Sequence, residues 1–134
     1  MEYMTTKPRL IYVLPEGLGD VRKLSEEEVD AFLTEYEDTG WEPKLHSLYE
    51  ACECDCIDMR NLPGLGTLWF DDTGRLTERR PSPAASALYE YAYRSREGIL
   101  GTAVLVVSPG SEKTAETVIG KLQAQVKALR GRTN

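Results

Sequence analysis

The sequence contains no apolar run long enough to cross a membrane, for which a helix needs about 20 residues. The longest such run, residues 99–107, has the length of a strand and includes a glycine and a threonine. The first ten residues lack the apolar core of a signal peptide. Three cysteines, an odd number at two-residue spacing, do not form the framework of an exported disulfide-rich domain. These absences predict a cytoplasmic protein with no membrane partner.

The familiar catalytic motifs are also missing. The chain has no G-x-S-x-G, H-E-x-x-H or GK[ST] motif, and its Gly-Leu-Gly segments are too short for a phosphate-binding loop. Two pairs of carboxylates have the chemistry to bind a cation or transfer protons. We interpret Asp71 and Asp72 as a turn, and Glu53 and Asp55 as the solvent face of a strand. The sequence therefore predicts no enzyme, no catalytic or cofactor-binding residue and no cofactor.

Histidine occurs once, and the three cysteines fall at alternate positions of the segment 45–59. If this segment is a strand, Cys52, Cys54 and Cys56 share one face. Thiolate and imidazole are zinc ligands, but His46 would lie about 20 Å from Cys52 along a strand that rises about 3.3 Å per residue. We therefore predict no metal site. The row is interpreted as small apolar side chains in the core, with a redox or metal surface as the alternatives.

Charge is unevenly distributed along a chain whose net charge is −6. Residues 16–42 hold ten acidic and two basic residues, whereas residues 75–134 hold ten basic and five acidic ones. An acidic total disfavours non-specific binding to nucleic acid, which depends on neutralising phosphates with Lys and Arg. The simplest interpretation of the asymmetry is a set of solvated helix faces that differ in charge.

The periodicity of apolar residues predicts four main strands and three helices. In chain order they are a strand at 9–14, a helix at 25–39, strands at 45–59 and 66–71, a further short strand at 75–77, a helix at 83–97, a strand at 99–107 and a helix from 111. This β-α-β-β-α-β order with a C-terminal helix predicts a single α+β domain over residues 1–134 with a mainly antiparallel sheet. The ferredoxin-like strand order is one topology that fits it.

Local signals mark the ends of the predicted helices. Ser25 and Glu28 have the spacing of a capping box, and Ser82 and Pro83 that of an N-cap followed by proline at the first helical position. We expect Gly40 to follow the end of the first helix. Its buried stripe is predicted to consist of Val29, Phe32, Leu33 and Tyr36.

The same element order occurs in RNA-recognition domains, which stack bases on aromatic side chains of the sheet. Tyr12 lies at the position of a stacking residue on the first strand. The third strand departs from the motif, with Leu65 and Thr67 at the two stacking positions, and only Phe70 is an aromatic match. The sequence therefore predicts no nucleic-acid partner.

The strand at 99–107 is apolar on both faces, so both must be covered. The C-terminal helix has an apolar stripe from Ala115 to Leu129 that is long enough to cover one of them. Two arrangements are open. The helix packs on its own sheet, or it pairs with a second copy and gives a homodimer through the C-terminal helix. We favour the homodimer, because Gly120 weakens the helix unless packing supports it.

Several short segments between residues 45 and 110 form a recognisable set. They are Tyr49-Glu50, Leu68-Trp-Phe-Asp-Asp-Thr-Gly-Arg-Leu76, Ala85-Ser-Ala-Leu-Tyr89 and Ile99-Leu-Gly-Thr-Ala-Val104. Over this half of its length the chain resembles the family named domain of unknown function 3846. Members tend to carry an asparagine just before the second helix, where this chain has Pro81-Ser82-Pro83, so no role of that asparagine carries over. The resemblance implies an accessory protein of phages, plasmids or actinobacterial genomes, with no known activity.

We therefore expect a small cytoplasmic α+β domain that acts by binding. The leading hypothesis is a non-enzymatic accessory protein of a mobile element, phage or plasmid, that engages a protein partner. One alternative is an acidic DNA mimic of the antirestriction type, in which residues 16–42 imitate the spacing of phosphates. A small-molecule-binding domain is the other alternative.

Overall fold

The computed structural model describes residues 6–73, 78–94 and 98–132; the short strand predicted at 75–77 lies outside them. Seven strands and four helices follow one another along the described part of the chain. They are β1 (Ile11–Leu14), β2 (Arg22–Lys23), α1 (Glu26–Phe32), β3 (Leu33–Tyr36), β4 (Gly40–Pro43), α2 (Leu45–Cys52), β5 (Ile57–Leu62), β6 (Gly66–Asp71), α3 (Pro83–Tyr93), β7 (Ala103–Val107) and α4 (Glu112–Arg132).

Five strands form one antiparallel sheet in the order β2-β1-β7-β6-β5, and β3 and β4 form a separate hairpin. The predicted α+β class, the mainly antiparallel sheet and the C-terminal helix are confirmed. The ferredoxin-like order is not the one found, because the last strand lies between β1 and β6 and not at the sheet edge. All five residues of β7 are buried, so a central position gives it a neighbour on each side.

The sheet is the middle of three layers. Ala103, Leu105 and Val107 of β7 face α3 and α4, whereas Val104 and Val106 face α1, α2 and the β3–β4 hairpin. The predicted coverage of both faces is thus achieved within one chain. The C-terminal helix packs on its own sheet, which is the first of the two arrangements and not the one favoured from the sequence. Its buried residues are Ala115, Val118, Ile119, Leu122 and Val126.

The predicted strand at 45–59 is wrong over most of its length. Residues 45–52 form helix α2, and β5 begins only at Ile57. Leu48 and Cys52, four residues apart, are the buried positions of α2, which is a helical spacing as well as an even-numbered one. The alternation of cysteines therefore did not distinguish a strand from a helix that ends at Cys52.

The first helix begins as predicted but ends early. Ser25 accepts from the backbone N–H of Glu28, whose carboxylate accepts from the N–H of Ser25, completing the capping box. The helix stops at Phe32, and Leu33 begins a strand of the hairpin. Leu33 is buried whether it continues the helix or begins a strand, so the helical pattern of apolar residues does not reveal where the helix ends. Tyr36 is exposed, in contrast to its prediction, and Gly40 lies in the hairpin with φ of 79°.

The other two helices start where the sequence indicates. Ser82 caps α3 with its hydroxyl accepting from Ala85 N, and Pro83 is the first helical residue. The helix ends at Tyr93, earlier than the predicted stop at Gly98. The last strand is likewise shorter than 99–107, since only an isolated bridge between Leu100 and Pro81 precedes β7.

Candidate functional site

The three cysteines do not share a face. Cys52 is fully buried at the end of α2, Cys54 is half-buried in the next loop and Cys56 is exposed. Burial raises the pKa of the Cys52 thiol to about 12, and the neighbouring Cys54 and Asp71 add to the increase. The pKa of Cys54 is also raised, again mainly by burial. Both thiols therefore stay protonated near neutral pH, which makes them poor nucleophiles and poor metal ligands.

The remaining predicted polar residues of this segment are dispersed by helix α2. His46 is exposed in its first turn, at the opposite end of the helix from Cys52. Glu53 is the left-handed C-cap of α2 and Asp55 lies in the loop, so the strand face predicted for this pair is wrong. Within the described part of the chain, no group of three His, Cys, Asp or Glu side chains is placed to hold a metal ion.

A polar junction around Arg79 lies next to the two thiols. Its guanidinium is 3.6 Å from Asp71 Oδ2 and 3.8 Å from Glu16 Oε1. It also donates to the backbone carbonyl of Glu53. Asp71 forms the predicted turn, because its Oδ1 accepts from the N–H and the hydroxyl of Thr73 at 2.8 and 2.9 Å. The junction therefore joins β6, the end of α2 and the loop after β1.

The ion pairs and hydrogen bonds of this junction stabilise the fold. The Asp71 side chain is 1% exposed and Arg79 is its counter-ion, so the cation position of the cluster is already filled by a guanidinium. Glu53 and Glu78, with φ of 52° and 56°, both take the left-handed conformation beside it. Such backbone geometry persists where surrounding contacts hold it, and here Glu53 is held through its carbonyl.

Tyr12, the predicted stacking position, is not available to a base. It is 4% exposed and belongs to the core between the sheet and helices α3 and α4. Burial raises the pKa of its hydroxyl, and Glu116 of α4 adds to that increase. A domain that stacks bases on its sheet needs an open sheet face, and this face is covered by two helices.

Part of the acidic segment 16–42 is neutralised by the chain itself. The pairs are Lys7–Asp30, Arg22–Glu28, Arg130–Asp20, and Arg79 and Arg80 with Glu16. Other acidic side chains of the segment are exposed and have no ion-pair partner among the described residues. They are Glu26, Glu27, Glu35, Glu37 and Asp38. The fold thus divides the acidic segment into a paired part and a free part.

The concavity best suited to a partner lies between α3 and α4 on the outer surface. We define the α3–α4 groove by its floor and its rim. The floor is Ala87, Val118 and Leu122, and the rim carries Tyr91, Lys113, Lys121 and one carboxylate, Glu90. Its volume is about 670 Å³. Along α4 it runs from residue 113 to residue 125, about 18 Å at about 1.5 Å per residue. That length accommodates about three turns of a docked helix.

The rim of the α3–α4 groove carries exposed aromatic and basic side chains. Tyr91 is 56% exposed although it borders an apolar floor. Lys113 and Lys121 are exposed and have no ion-pair partner within the described residues. Tyrosine is among the residues on which protein-binding hot spots are centred, and charged side chains such as these lysines are typical of the polar rim around one.

Two further concavities are weaker candidates. A cavity of about 790 Å³ separates residues 6–10 from α1, but Lys7 on its wall is already paired with Asp30. A smaller one, about 360 Å³, lies between α1 and α2, where Arg22 is paired with Glu28. In each, one pair of oppositely charged wall residues is already joined within the chain, although the first wall also carries Glu26, unpaired among the described residues, and the second the exposed Glu50.

The sequence by itself predicts only one side of the groove. Lys113, Thr117 and Lys121 are four residues apart, so a helix predicted over this segment places them along one side. Their position opposite Tyr91 depends on the packing of α4 against α3, which is not a property of either segment alone.

Fold and groove together define the structural class: a three-layer α+β protein with a groove between the two helices of one outer layer. Comparison with protein-family models, with curated proteins and with solved structures found no match. Among the described residues, no helix is both long and apolar enough to cross a bilayer. The motifs of the resemblance fall on structural elements, Leu68 to Asp71 on β6 and Ala85 to Tyr89 on α3.

Proposed function

We propose that this chain is a non-enzymatic accessory protein that binds a protein partner in the α3–α4 groove. The observation that carries the proposal is the exposed Tyr91 beside two unpaired lysines above an apolar floor. The cytoplasm is the proposed location, and the proposed origin in a phage or plasmid rests on the family resemblance alone.

The groove indicates the chemistry of its partner. Its two walls are helices, so a third helix can lie between them with an apolar stripe on the floor. Lys113 and Lys121 are eight residues apart, about 12 Å along α4. They favour carboxylates about two turns apart on the partner. The partner segment is thus an amphipathic helix with an acidic edge.

The width of the groove mouth favours a macromolecule over a small molecule. Most of its lining, including Tyr91, Lys113 and Lys121, is exposed to solvent. A small-molecule site usually buries most of its ligand, which an open groove between two helix surfaces cannot do. A protein segment needs only one face covered.

The proposal is tested by affinity capture of partner proteins from the native host, using variants that alter the groove. Immobilised wild type is compared with the double variant Tyr91→Ala/Lys121→Glu and with Lys127→Glu. Lys127 is an exposed lysine of the same helix outside the groove, so it controls for the change in charge.

We expect a protein that is retained by the wild type and by Lys127→Glu and lost from the double variant. The purified partner should bind the double variant at least about tenfold more weakly, because hot-spot aromatics carry a large share of interface energy. If every captured protein is retained equally by all three, the groove is not the binding site.

A second candidate, the acidic DNA mimic, is favoured by the five exposed and unpaired acidic side chains of α1 and the hairpin. The intramolecular pairing of Asp20, Glu28 and Asp30 reduces the acidic surface that such a mimic would present. Its test is inhibition of a restriction endonuclease on unmodified duplex DNA. Wild type should inhibit and Glu26→Lys/Glu27→Lys should not; equal activity of enzyme with and without the protein rejects mimicry for that enzyme class.

A further inference from the structure

The tip of the β3–β4 hairpin, residues 35–38, is an acidic surface with an aromatic centre. We call it the acidic tip. Tyr36 is 46% exposed between Glu35 and Glu37, which are exposed, as is Asp38. None of the three carboxylates has an ion-pair partner in the described part of the chain. Of the apolar side chains of the hairpin that pack against the sheet, Leu33 lies at its base and Trp41 lies opposite Glu35, next to the tip.

The acidic tip and the α3–α4 groove have complementary chemistry. The groove offers two unpaired lysines and an exposed tyrosine around an apolar floor, so its lysines outnumber its one carboxylate, Glu90. The tip offers three unpaired carboxylates around a tyrosine ring. Both surfaces leave charge uncompensated within one chain, and each supplies what the other lacks.

We propose that the acidic tip of one copy docks in the α3–α4 groove of a second copy. This inference uses the groove assigned under the proposed function and names a second copy of the chain as its occupant. In this arrangement Tyr36 lies on the apolar floor, and the carboxylates of Glu37 and Asp38 beside it meet Lys113 and Lys121. Glu35, on the other face of β3, adds to the negative charge of the tip. The tip thereby competes with a foreign partner for the same surface.

The arrangement is head-to-tail. The hairpin packs on one face of the sheet, with α1 and α2, and the groove lies on the opposite face, with α3 and α4. Two surfaces that face opposite directions cannot both be satisfied in a two-fold pair, so each copy binds the next one along. Symmetric pairing of two grooves is disfavoured because Lys113 and Lys121 would meet their own copies. The buried stripe of α4 is also unavailable for the homodimer considered from the sequence.

Sedimentation equilibrium of the full chain at low and at high salt tests the inference. We expect weak, concentration-dependent association that diminishes with added salt, because exposed charges are screened. Lys113→Glu/Lys121→Glu reverses the groove, and Glu35→Lys/Glu37→Lys reverses the tip. Each double variant alone should associate about tenfold or more less tightly than the wild type, whereas Lys127→Glu should not differ from it.

Mixing the two charge-reversed variants is the decisive experiment. Their equimolar mixture should associate, and the complex should contain both, since the wild-type tip of one variant meets the wild-type groove of the other and the reversed tip meets the reversed groove. A wild type that stays monomeric at all concentrations and salts overturns the inference, and so does a mixture that fails to associate. Tip-reversed protein keeps its groove, so it should still bind the captured partner. If the wild type self-associates as expected but no captured protein depends on the groove, only the proposed function is rejected.

Discussion

At the scale of single residues, Arg79 links three separate parts of the fold. It is the counter-ion of the buried Asp71 and contacts the ends of β6, α2 and the loop after β1. Arg80, its neighbour, also faces Glu16 but is 76% exposed. Two adjacent arginines thus differ in burial while sharing a carboxylate partner.

Replacing Arg79 by methionine should lower the free energy of unfolding by about 2–4 kcal/mol. A buried carboxylate that loses its counter-ion is strongly destabilising, and the partial exposure of Arg79 moderates the loss. Urea denaturation measures it. Arg80→Met is the matched control and should cost less than about 1 kcal/mol, as exposed ion pairs do. Equal losses in the two variants would show that Asp71 does not depend on Arg79.

Cys52 should make stability fall as the pH rises from about 8 towards 12. An unfolded cysteine ionises near pH 8.5, whereas the folded thiol keeps its proton up to a pKa of about 12. Because the folded pKa is the higher one, the stabilising effect is complete below the unfolded pKa and is lost above it. Between pH 8 and pH 10 the wild type should lose about 1–2 kcal/mol more than Cys52→Ala. Parallel pH profiles of the two proteins would contradict the assignment.

At the scale of elements, β5 is an edge strand whose outward backbone groups are covered by its own chain. The N–H of Met59 donates to Asp58 Oδ1 at 2.7 Å, and its carbonyl accepts from Arg60 Nη1 at 2.9 Å. The carbonyl of Asn61 accepts from the hydroxyl of Tyr93 on α3. Asp58 and Arg60 also pair with each other at 2.7 Å. These contacts occupy the groups through which another strand would attach.

Asp58→Ala/Arg60→Ala should therefore expose the β5 edge and increase aggregation. The variant keeps the net charge, so repulsion between molecules is unchanged and only the edge differs. Glu27→Ala/Lys127→Ala removes one exposed charge of each sign from helices α1 and α4 and is the control outside both edge strands. Light scattering at 37 °C and high concentration should rise severalfold faster for the β5 variant than for the control. Equal rates would mean that the side chains do not protect this edge.

At the scale of the whole molecule, the uneven charge of the sequence is partly cancelled by folding. Arg79, Arg80 and Arg130 of the basic half pair with Glu16 and Asp20 of the acidic segment. The sheet face that carries Tyr12 is covered by α3 and α4. The two features that would attract nucleic acid, a basic patch and open aromatics, are thus both reduced by the tertiary structure.

We accordingly expect no measurable binding of duplex DNA or RNA at physiological salt. Fluorescence anisotropy of labelled oligonucleotides measures it, over protein concentrations up to tens of micromolar. A micromolar affinity that weakens steeply with salt would show that the remaining basic side chains form a phosphate-binding patch. Binding that is insensitive to salt would instead require an aromatic surface that the covered sheet does not offer.

The sequence by itself determined the features that depend on neighbouring residues. The capping box at Ser25 and the proline-led start of α3 at Pro83 form within one helical turn, so their spacing predicts them. The double-sided burial of β7 follows from consecutive apolar residues, and the stripe of α4 from its regular period. The α+β class rests on these local signals.

The tertiary structure alone decided which distant segments meet. Leu33 leaves the first helix because it pairs with Pro43, and residues 45–52 form a helix because Leu48 and Cys52 pack against the far face of the sheet. The central place of β7 requires Gly66, where any side chain would collide with the carbonyl of Val106. The α3–α4 groove likewise exists only through packing. In each case the stabilising contacts lie far apart in the chain, where local periodicity carries no information.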